Sequence, residues 1–369
     1  MTTSNQHLLV PSRRALLAGG LGLTAAGLLS ACGSGSGTGS AGGGTSAFAN
    51  KGMDYFFFVV QSEAIQRASK ALSYTFKTTD ANQDASAQYN NWNSALLQKP
   101  SWIIADPVDS EGLAPMTTKA KQQKIPVGIV DTPLTKGEAA ITVSFDNRRG
   151  GEMAAEKTVE LLQAKYGKPQ GTVLNGYGAL SSVAWRQRKE GFEGVLAKYP
   201  DIKVIARPTD GAETTARDIA ASTLAEFPDL DAAHAPSDSI TRGIVTTLRQ
   251  SGRAVPTGQP GHVILTSIDG EPQSLGWARE GILDAEVSQD PIAYGEICVQ
   301  LLHDYAVKGK AISMAEYSND KYYWGKAPIT QGDTGPTCTI PPFFIDASNV
   351  DDPRQWGNVV TKQWGMEQK

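Results

Sequence analysis

Histidine, cysteine and long apolar runs are all scarce in this chain, and each scarcity closes off a class of function. Four histidines occur, His7, His234, His262 and His303, and none belongs to an H-E-x-x-H or comparable metal-spacing motif. A zinc-dependent enzyme is therefore not expected. No G-x-S-x-G elbow is present, so the nucleophile of an α/β-hydrolase is missing as well. Lysine and arginine (34) do not outnumber aspartate and glutamate (38) and form no basic stripe, which speaks against nucleic acid as a partner. The longest small-apolar segment, 15–28, falls short of the roughly 20 residues that a bilayer span requires. No metal, cofactor or catalytic residue is expected.

What is present begins at Ser12–Ser40, SRRALLAGGLGLTAAGLLSACGSGSGTGS. Gly20 to Ala25 fits G-x-G-x-x-A, but two arginines stand where a strand should precede it and no acid follows before Asp54. The context of a dinucleotide site is thus absent. Arg13 and Arg14 instead form a basic n-region and Ala15–Leu28 an apolar h-region of an export signal. Ser12–Leu17 resembles the twin-arginine export consensus, and the general secretory route is the alternative. Leu29-Ser30-Ala31-Cys32 resembles a bacterial lipobox, which implies lipidation of Cys32 and an extracytoplasmic chain anchored to the cell membrane. The Gly/Ser run behind it reads as a flexible tether. Removing residues 1–31 deletes two arginines and no acid, taking the net charge from −4 to −6. Cys298 and Cys338 then remain, and in an oxidising compartment a disulfide between them is expected.

From Tyr55 onward short apolar runs alternate with amphipathic stretches, the pattern of a parallel sheet covered by helices. YFFFVV (Tyr55–Val60) reads as the first strand and SWIIAD, IPVGIVD and AITVSF as later ones, with a long helix over Asn147–Tyr166. GTVLNG, IKVIAR, LDAAHA, HVILTSID and LDAEVS repeat the grammar, and PPFFID comes after an irregular insertion, Tyr317–Thr339. These units exceed one sheet, so two doubly wound α/β lobes are expected. Ligands of such sheets bind beyond the carboxyl ends of the strands. The residues placed there are Gln61, Ser62, Glu63, Asp106, Asp131, Thr132, Gly176, Tyr177, Ser237, Asp238, Asp269 and Gly270. This ring is neutral to acidic without a cluster of cations, which suits an uncharged polyhydroxylated ligand.

In order and spacing IIADPVDS, IPVGIVDTP, VSFDNRRGGEMAA, AWRQRKEGFEGVL, HAPSDSITRGI, SIDGEP and AEVSQDP resemble the ribose-type sugar-binding proteins (periplasmic binding protein type 1) that feed bacterial ABC importers. The resemblance implies two doubly wound lobes joined by three crossover strands, near Ser144-Phe145, Gln289-Asp290 and Ile345-Asp346. Beyond the export signal over 1–31 and the lipidated cysteine and tether over 32–50, it implies an N-terminal lobe of 51–144 with 290–343 and a C-terminal lobe of 145–289 with 344–369. It also implies ligand contacts from Asp131, Arg186, Asp269 and Gln289, with Ser237 where the family usually has asparagine. Arg188 and Lys189, beside Arg186, are expected in solvent.

Two departures from the family shape the expected ligand. With the first strand at Tyr55–Val60, no aromatic follows it, and RPTDGAETT supplies none at the second aromatic position. An acyclic polyol or modified sugar is then expected, with Trp185, Tyr177 or Trp92 as replacement platform. The resemblance implies a monomeric solute-binding lipoprotein delivering a small sugar or polyol to an ABC permease. A lipid-tethered sensor presenting the same ligand to a membrane receptor is the alternative.

Overall fold

The computed structural model of the chain describes residues 43–368. The export signal, the lipidation site Cys32 and the start of the tether lie outside the described residues. The chain runs through β1 (Thr45–Asn50), α1 (Phe56–Ala71), β2 (Thr75–Asp80), α2 (Ala85–Leu97), β3 (Trp102–Ala105), α3 (Ala114–Gln122), β4 (Val127–Asp131) and β5 (Ile141–Phe145). It continues through α4 (Asn147–Tyr166), β6 (Gly171–Tyr177), α5 (Val183–Leu196), β7 (Ile202–Pro208), α6 (Glu213–Glu226), β8 (Ala232–Ala235), α7 (Asp238–Gln250), β9 (Ile264–Asp269), α8 (Pro272–Glu280) and β10 (Ala285–Ser288). Then come α9 (Pro291–Ala306), β11 (Tyr317–Ser318), β12 (Lys326–Ala327), β13 (Ile329–Gly332), β14 (Gly335–Ile340), β15 (Phe343–Ile345) and α10 (Trp356–Lys362).

Among the described residues one sheet has the order β13-β14-β5-β4-β3-β1-β2 and a second β15-β10-β9-β8-β6-β7. Within these two sheets pairing is parallel except where β13 meets β14 and β10 meets β15, and β11 and β12 form a separate antiparallel pair. The inner strands β3, β4, β5, β8, β9 and β10 are buried along their whole length. Their near-continuous apolar sequences follow from being covered by helices on both faces. Helix starts are set by side chains: Asp84, Asp146 and Asp290 each accept a hydrogen bond from a backbone N–H of the first turn of α2, α4 and α9.

The chain passes between the lobes three times. After β5 it enters α4, which packs on α5, β9 and β10 of the second lobe. After β10 it enters α9, which packs on α1, β4 and β5 of the first. After β14 it crosses through Pro341-Pro342 to β15, so the third crossing lies before the expected Ile345-Asp346.

The first strand is not where the apolar run suggests. Tyr55 is the N-cap of α1, and the buried Phe57, Phe58, Gln61, Ala64 and Ile65 recur at helical spacing. The strand is TSAFAN, at residues assigned to the tether. Small residues suit β1 because it runs between β2 and β3 under packed helices. Its buried Ser46 is satisfied by the Ser69 hydroxyl at 2.9 Å and the Trp102 indole at 2.8 Å. The insertion is also more regular than expected: β13 and β14 form a hairpin that extends the first sheet beyond β5.

Cys298 and Cys338 are free and buried, against the expected disulfide. The Cys298 sulfur presses on Gly128 of β4, where a Cβ would overlap it. Cys338 lies on β14, two strands away across β5. Burial pushes both thiols up, Cys338 to about 12.

Candidate functional site

The carboxyl ends of the strands in both sheets face one cleft with about 400 Å³ of empty space, counting its open mouth. On the first lobe it is lined by Lys51, Tyr55, Phe57, Phe58, Asp131 and Thr132. These come from the β1–α1 connection, the start of α1 and the end of β4. Phe57 and Phe58 meet edge to face with centroids 5.6 Å apart, a geometry that holds both rings in place. Asp131 has a left-handed φ of 59°. Its Oδ2 accepts from the Thr132 hydroxyl at 2.9 Å, while its buried Oδ1 has no partner among the described residues.

The second lobe contributes Ser182, Ala184, Trp185 and Arg188 from the start of α5, Ser237 and Ser239 at the start of α7, Asp269 at the end of β9, and Glu271. Gln289 enters from the second crossover. Helices α5, α7 and α8 thus aim their N-terminal ends toward the cleft, favouring electron-rich oxygen. Trp185 is slotted between Gly178 and Gly211, where a Cβ on either glycine would overlap the indole. Arg188 donates to Asn147 Oδ1 at 2.8 Å and to the Pro236 carbonyl at 2.7 Å, and lies 3.7 Å from Asp269 Oδ1. Gln289 donates to the same Asp269 oxygen and accepts from the Tyr294 hydroxyl at 2.9 Å. Asp269 Oδ2 accepts the Asp238 N–H at 2.9 Å. Burial pushes the Asp269 carboxyl well above its usual range, with Arg188 pulling the other way.

Contacts run across the cleft. The Phe57 N–H donates to Glu271 Oε1 at 3.2 Å, so a second-lobe carboxylate caps the first turn of α1. Arg242 and Gln368 donate to the other oxygen of Glu271. Val183 N–H donates to the Ser110 hydroxyl at 3.0 Å. Trp356 of α10 stands edge-on to Phe57 at 5.9 Å and donates its indole N–H to the Asp269 carbonyl at 2.9 Å.

Of the residues expected to bind ligand, Asp131, Trp185, Ser237, Asp269 and Gln289 line the cleft. Arg186 does not: it is half-exposed and donates to the Leu180 carbonyl at 2.9 Å. Arg188, expected in solvent, is 2% exposed and takes the place assigned to Arg186. Asp238 is buried as a brace, accepting from the Ser267 hydroxyl and from the Gly270 and Glu271 N–H groups. Asp106 is buried behind Asp131 and reaches the cleft only through Lys51, at 3.0 Å. Gln61 is fully buried on α1 with both amide atoms unpartnered among the described residues. Glu63 pairs with Arg67 at 2.7 Å on the surface of α1. Tyr177 lies outside the cleft lining under Lys189, and Trp92 is buried in the core of the first lobe.

Lys51, Tyr55, Phe57, Phe58, Ser239 and Glu271 were not anticipated. The absence of aromatics after the first strand is overturned, because the true first strand ends at Asn50 and Tyr55–Phe58 follow it. The arrangement offers hydrogen-bonding groups of both kinds between aromatic walls. Among the described residues no three His, Cys, Asp or Glu are placed to hold a metal ion, and no helix is long and apolar enough to cross a membrane.

A family model described as periplasmic binding protein domain matches residues 46–311. The ribose import binding protein of Salmonella typhimurium is 25% identical over 264 residues, covering 72% of this chain and 84% of that protein. The xylitol-binding protein of Mycolicibacterium smegmatis is 28% identical over 230 residues, covering 61% of this chain and 62% of its own. Among solved structures, a carbohydrate transporter solute binding protein from Agrobacterium radiobacter in complex with D-arabinose has a TM-score of 0.72 at 20% identity, covering 84% of this chain and 97% of that one. An ABC transporter solute binding protein from Mycobacterium smegmatis with bound glycerol has a TM-score of 0.71 at 22% identity, covering 85% and 97%.

Proposed function

The chain belongs to the periplasmic binding protein domain family, and from that premise we propose that it binds a small uncharged sugar or polyol between its lobes and delivers it to an ABC import permease. The observation that carries this reading is the cleft itself, where Asp131, Asp269, Arg188 and Gln289 converge beside Phe58 and Trp185. A sugar hydroxyl donates and accepts at once, so carboxylate and guanidinium satisfy it from two sides. The apolar C–H faces of a sugar pack on aromatic rings. Arg188 is already committed to Asn147, Pro236 and Asp269, which argues against a phosphate or carboxylate ligand.

The exported, membrane-anchored form belongs to the same proposal, with Cys32 as the lipidated residue and the monomer as the working unit. Labelled palmitate should enter the wild-type chain and not Cys32→Ala. For the ligand, the melting temperature of the mature chain is measured against pentoses, hexoses, alditols, inositols and amino acids. A ligand at about 100 times its dissociation constant adds roughly 2.7 kcal/mol, enough to shift the melt by some degrees. A shift with a sugar or polyol supports the reading. A shift with amino acids alone refutes it.

A further inference from the structure

We propose that the pole of the first lobe opposite the cleft, where its parallel strands begin, is a membrane-docking face whose lysines hold anionic lipid headgroups. The proposal builds on the lipid-anchored reading above and adds which face of the protein meets the bilayer. The described chain starts at this pole. Gly44 O accepts the Thr75 N–H at 3.0 Å and Thr45 O the Ser101 N–H at 2.8 Å, so β1 begins among the loops that follow α1 and α2. Only the twelve residues Gly33–Gly44 separate Cys32 from β1, a reach of about 40 Å at full extension. The anchor therefore enters the fold at this pole, and the cleft lies beyond the length of β1, about 20 Å away.

Helices α1, α2 and α3 return the chain to this pole between parallel strands, and α9 ends there beside the starts of β4 and β5. Lys70, Lys99, Lys121, Lys124, Lys308 and Lys310 are exposed at these helix ends. Three acids lie among them. Glu138 pairs with Lys121 at 2.5 Å and Asp304 with Lys308 at 2.8 Å, and Asp333 is exposed in the β13–β14 turn. Lys70, Lys99, Lys124 and Lys310 have no ion-pair partner among the described residues. Lys99 and Lys124 take left-handed φ of 49° and 58° just past the ends of α2 and α3, where glycine is the unstrained residue. A charge is kept there at a cost in backbone strain.

The second lobe differs at its helix ends. Lys165, Lys168 and Arg249 face Asp231, Asp201 and Glu280 at 2.9, 3.0 and 2.7 Å. On a chain that is acidic as a whole, unpaired lysines gathered at one pole create a local positive field that fits an anionic surface. Apolar groups stand beside them: Leu97 is 83% exposed, and Tyr305 and Val307 are exposed as well. Such side chains enter the headgroup boundary of a bilayer. An open groove with about 1260 Å³ of empty space, counting its mouth, runs between Lys121, Lys124 and Lys310 over Ile125 and Val127. Cation and apolar floor together match a phospholipid headgroup with its glycerol ester.

The test floats the mature chain carrying Cys32→Ala, so that no acyl chain holds it, with phosphatidylcholine vesicles and with vesicles that also contain phosphatidylglycerol. Binding is expected on the anionic vesicles at low salt and should vanish at about 0.5 M salt. A lysine near an anionic surface is worth about fivefold. Lys99→Gly with Lys124→Gly and Lys310→Ser should therefore lower binding by about 10- to 100-fold, with glycine accepting the left-handed backbone. Lys168→Ser with Lys198→Ser and Lys203→Ser, the same charge change on the second lobe, should leave binding unchanged. In the lipidated chain a fluorophore on Leu97→Cys should be quenched by headgroup quenchers, and one on Lys168→Cys should not. Equal binding to neutral vesicles, equal loss in both triple variants, or no flotation at all overturns the docking face and leaves the anchor at Cys32 intact. A chain that takes up no palmitate yet floats with anionic vesicles refutes the anchor and supports the face.

Discussion

Asp131 and Asp269 both carry positive φ, 59° and 145°, at the ends of β4 and β9. Backbone strain of this kind persists where a site needs a side chain aimed in one direction. Asp131→Ala and Asp269→Ala should each weaken binding by about 10- to 150-fold, measured by calorimetry, with circular dichroism unchanged. The two arginines separate more sharply. Arg188→Ala leaves Asp269 without its guanidinium and should abolish binding, whereas Arg186→Ala should bind as wild type. Normal binding by the Arg188 variant would contradict the site as drawn. The distinction is legible in the helix register of the sequence. Trp185 and Arg188 are three residues apart and share a helix face, whereas Arg186 points elsewhere. Motif matching alone cannot see that register, and it placed the guanidinium two residues early.

At the scale of elements, β1 shows where the sequence signal fails. The α/β grammar from β3 to β10 was legible because buried parallel strands are continuous apolar runs. TSAFAN carries no such signal, since its small residues fit a crowded inner position beside a Gly-rich segment. The aromatic run next to it read as a strand, and the true residues after β1, Lys51 and Tyr55–Phe58, were lost from the site with it. The cysteines were misjudged for a related reason: composition gives a pair, but only topology gives the strand between them. In denaturant without reductant, both thiols should take up an alkylating reagent by intact mass. A mass shift that appears only after reduction would contradict the free state.

The start of α1 also carries a pH prediction. Burial pushes Glu271 from 4.5 up to about 7, with Arg242 opposing and Asp238 adding to the rise. If opening the cleft returns this carboxyl to water, closing takes up a proton. Ligand affinity should then fall as pH rises from about 4.5 to about 7 and level off above. Asp269 shifts in the same sense. Glu271→Gln should make the fall shallower, leaving the part due to Asp269, checked by calorimetry across that range, and affinity rising with pH would have the wrong sign.

For the whole molecule, we propose that the three crossings and the one cleft serve a closing motion, with Trp356 bridging the two lobes. This indole touches the first lobe through Phe57 and the second through the Asp269 carbonyl. Trp356→Ala should cost about 3–5 kcal/mol in denaturant unfolding, as expected for a buried ring. The proposed function has the two lobes close on a neutral hydroxylated ligand held by Asp131. The most direct measurement is calorimetric titration of wild type and Asp131→Asn with the sugar or polyol that raises the melt most, beside its phosphorylated and carboxylated counterparts. Saturable binding of the neutral compound alone is expected, weakened in the variant. Preference for an anionic counterpart, or equal binding by Asp131→Asn, would contradict it.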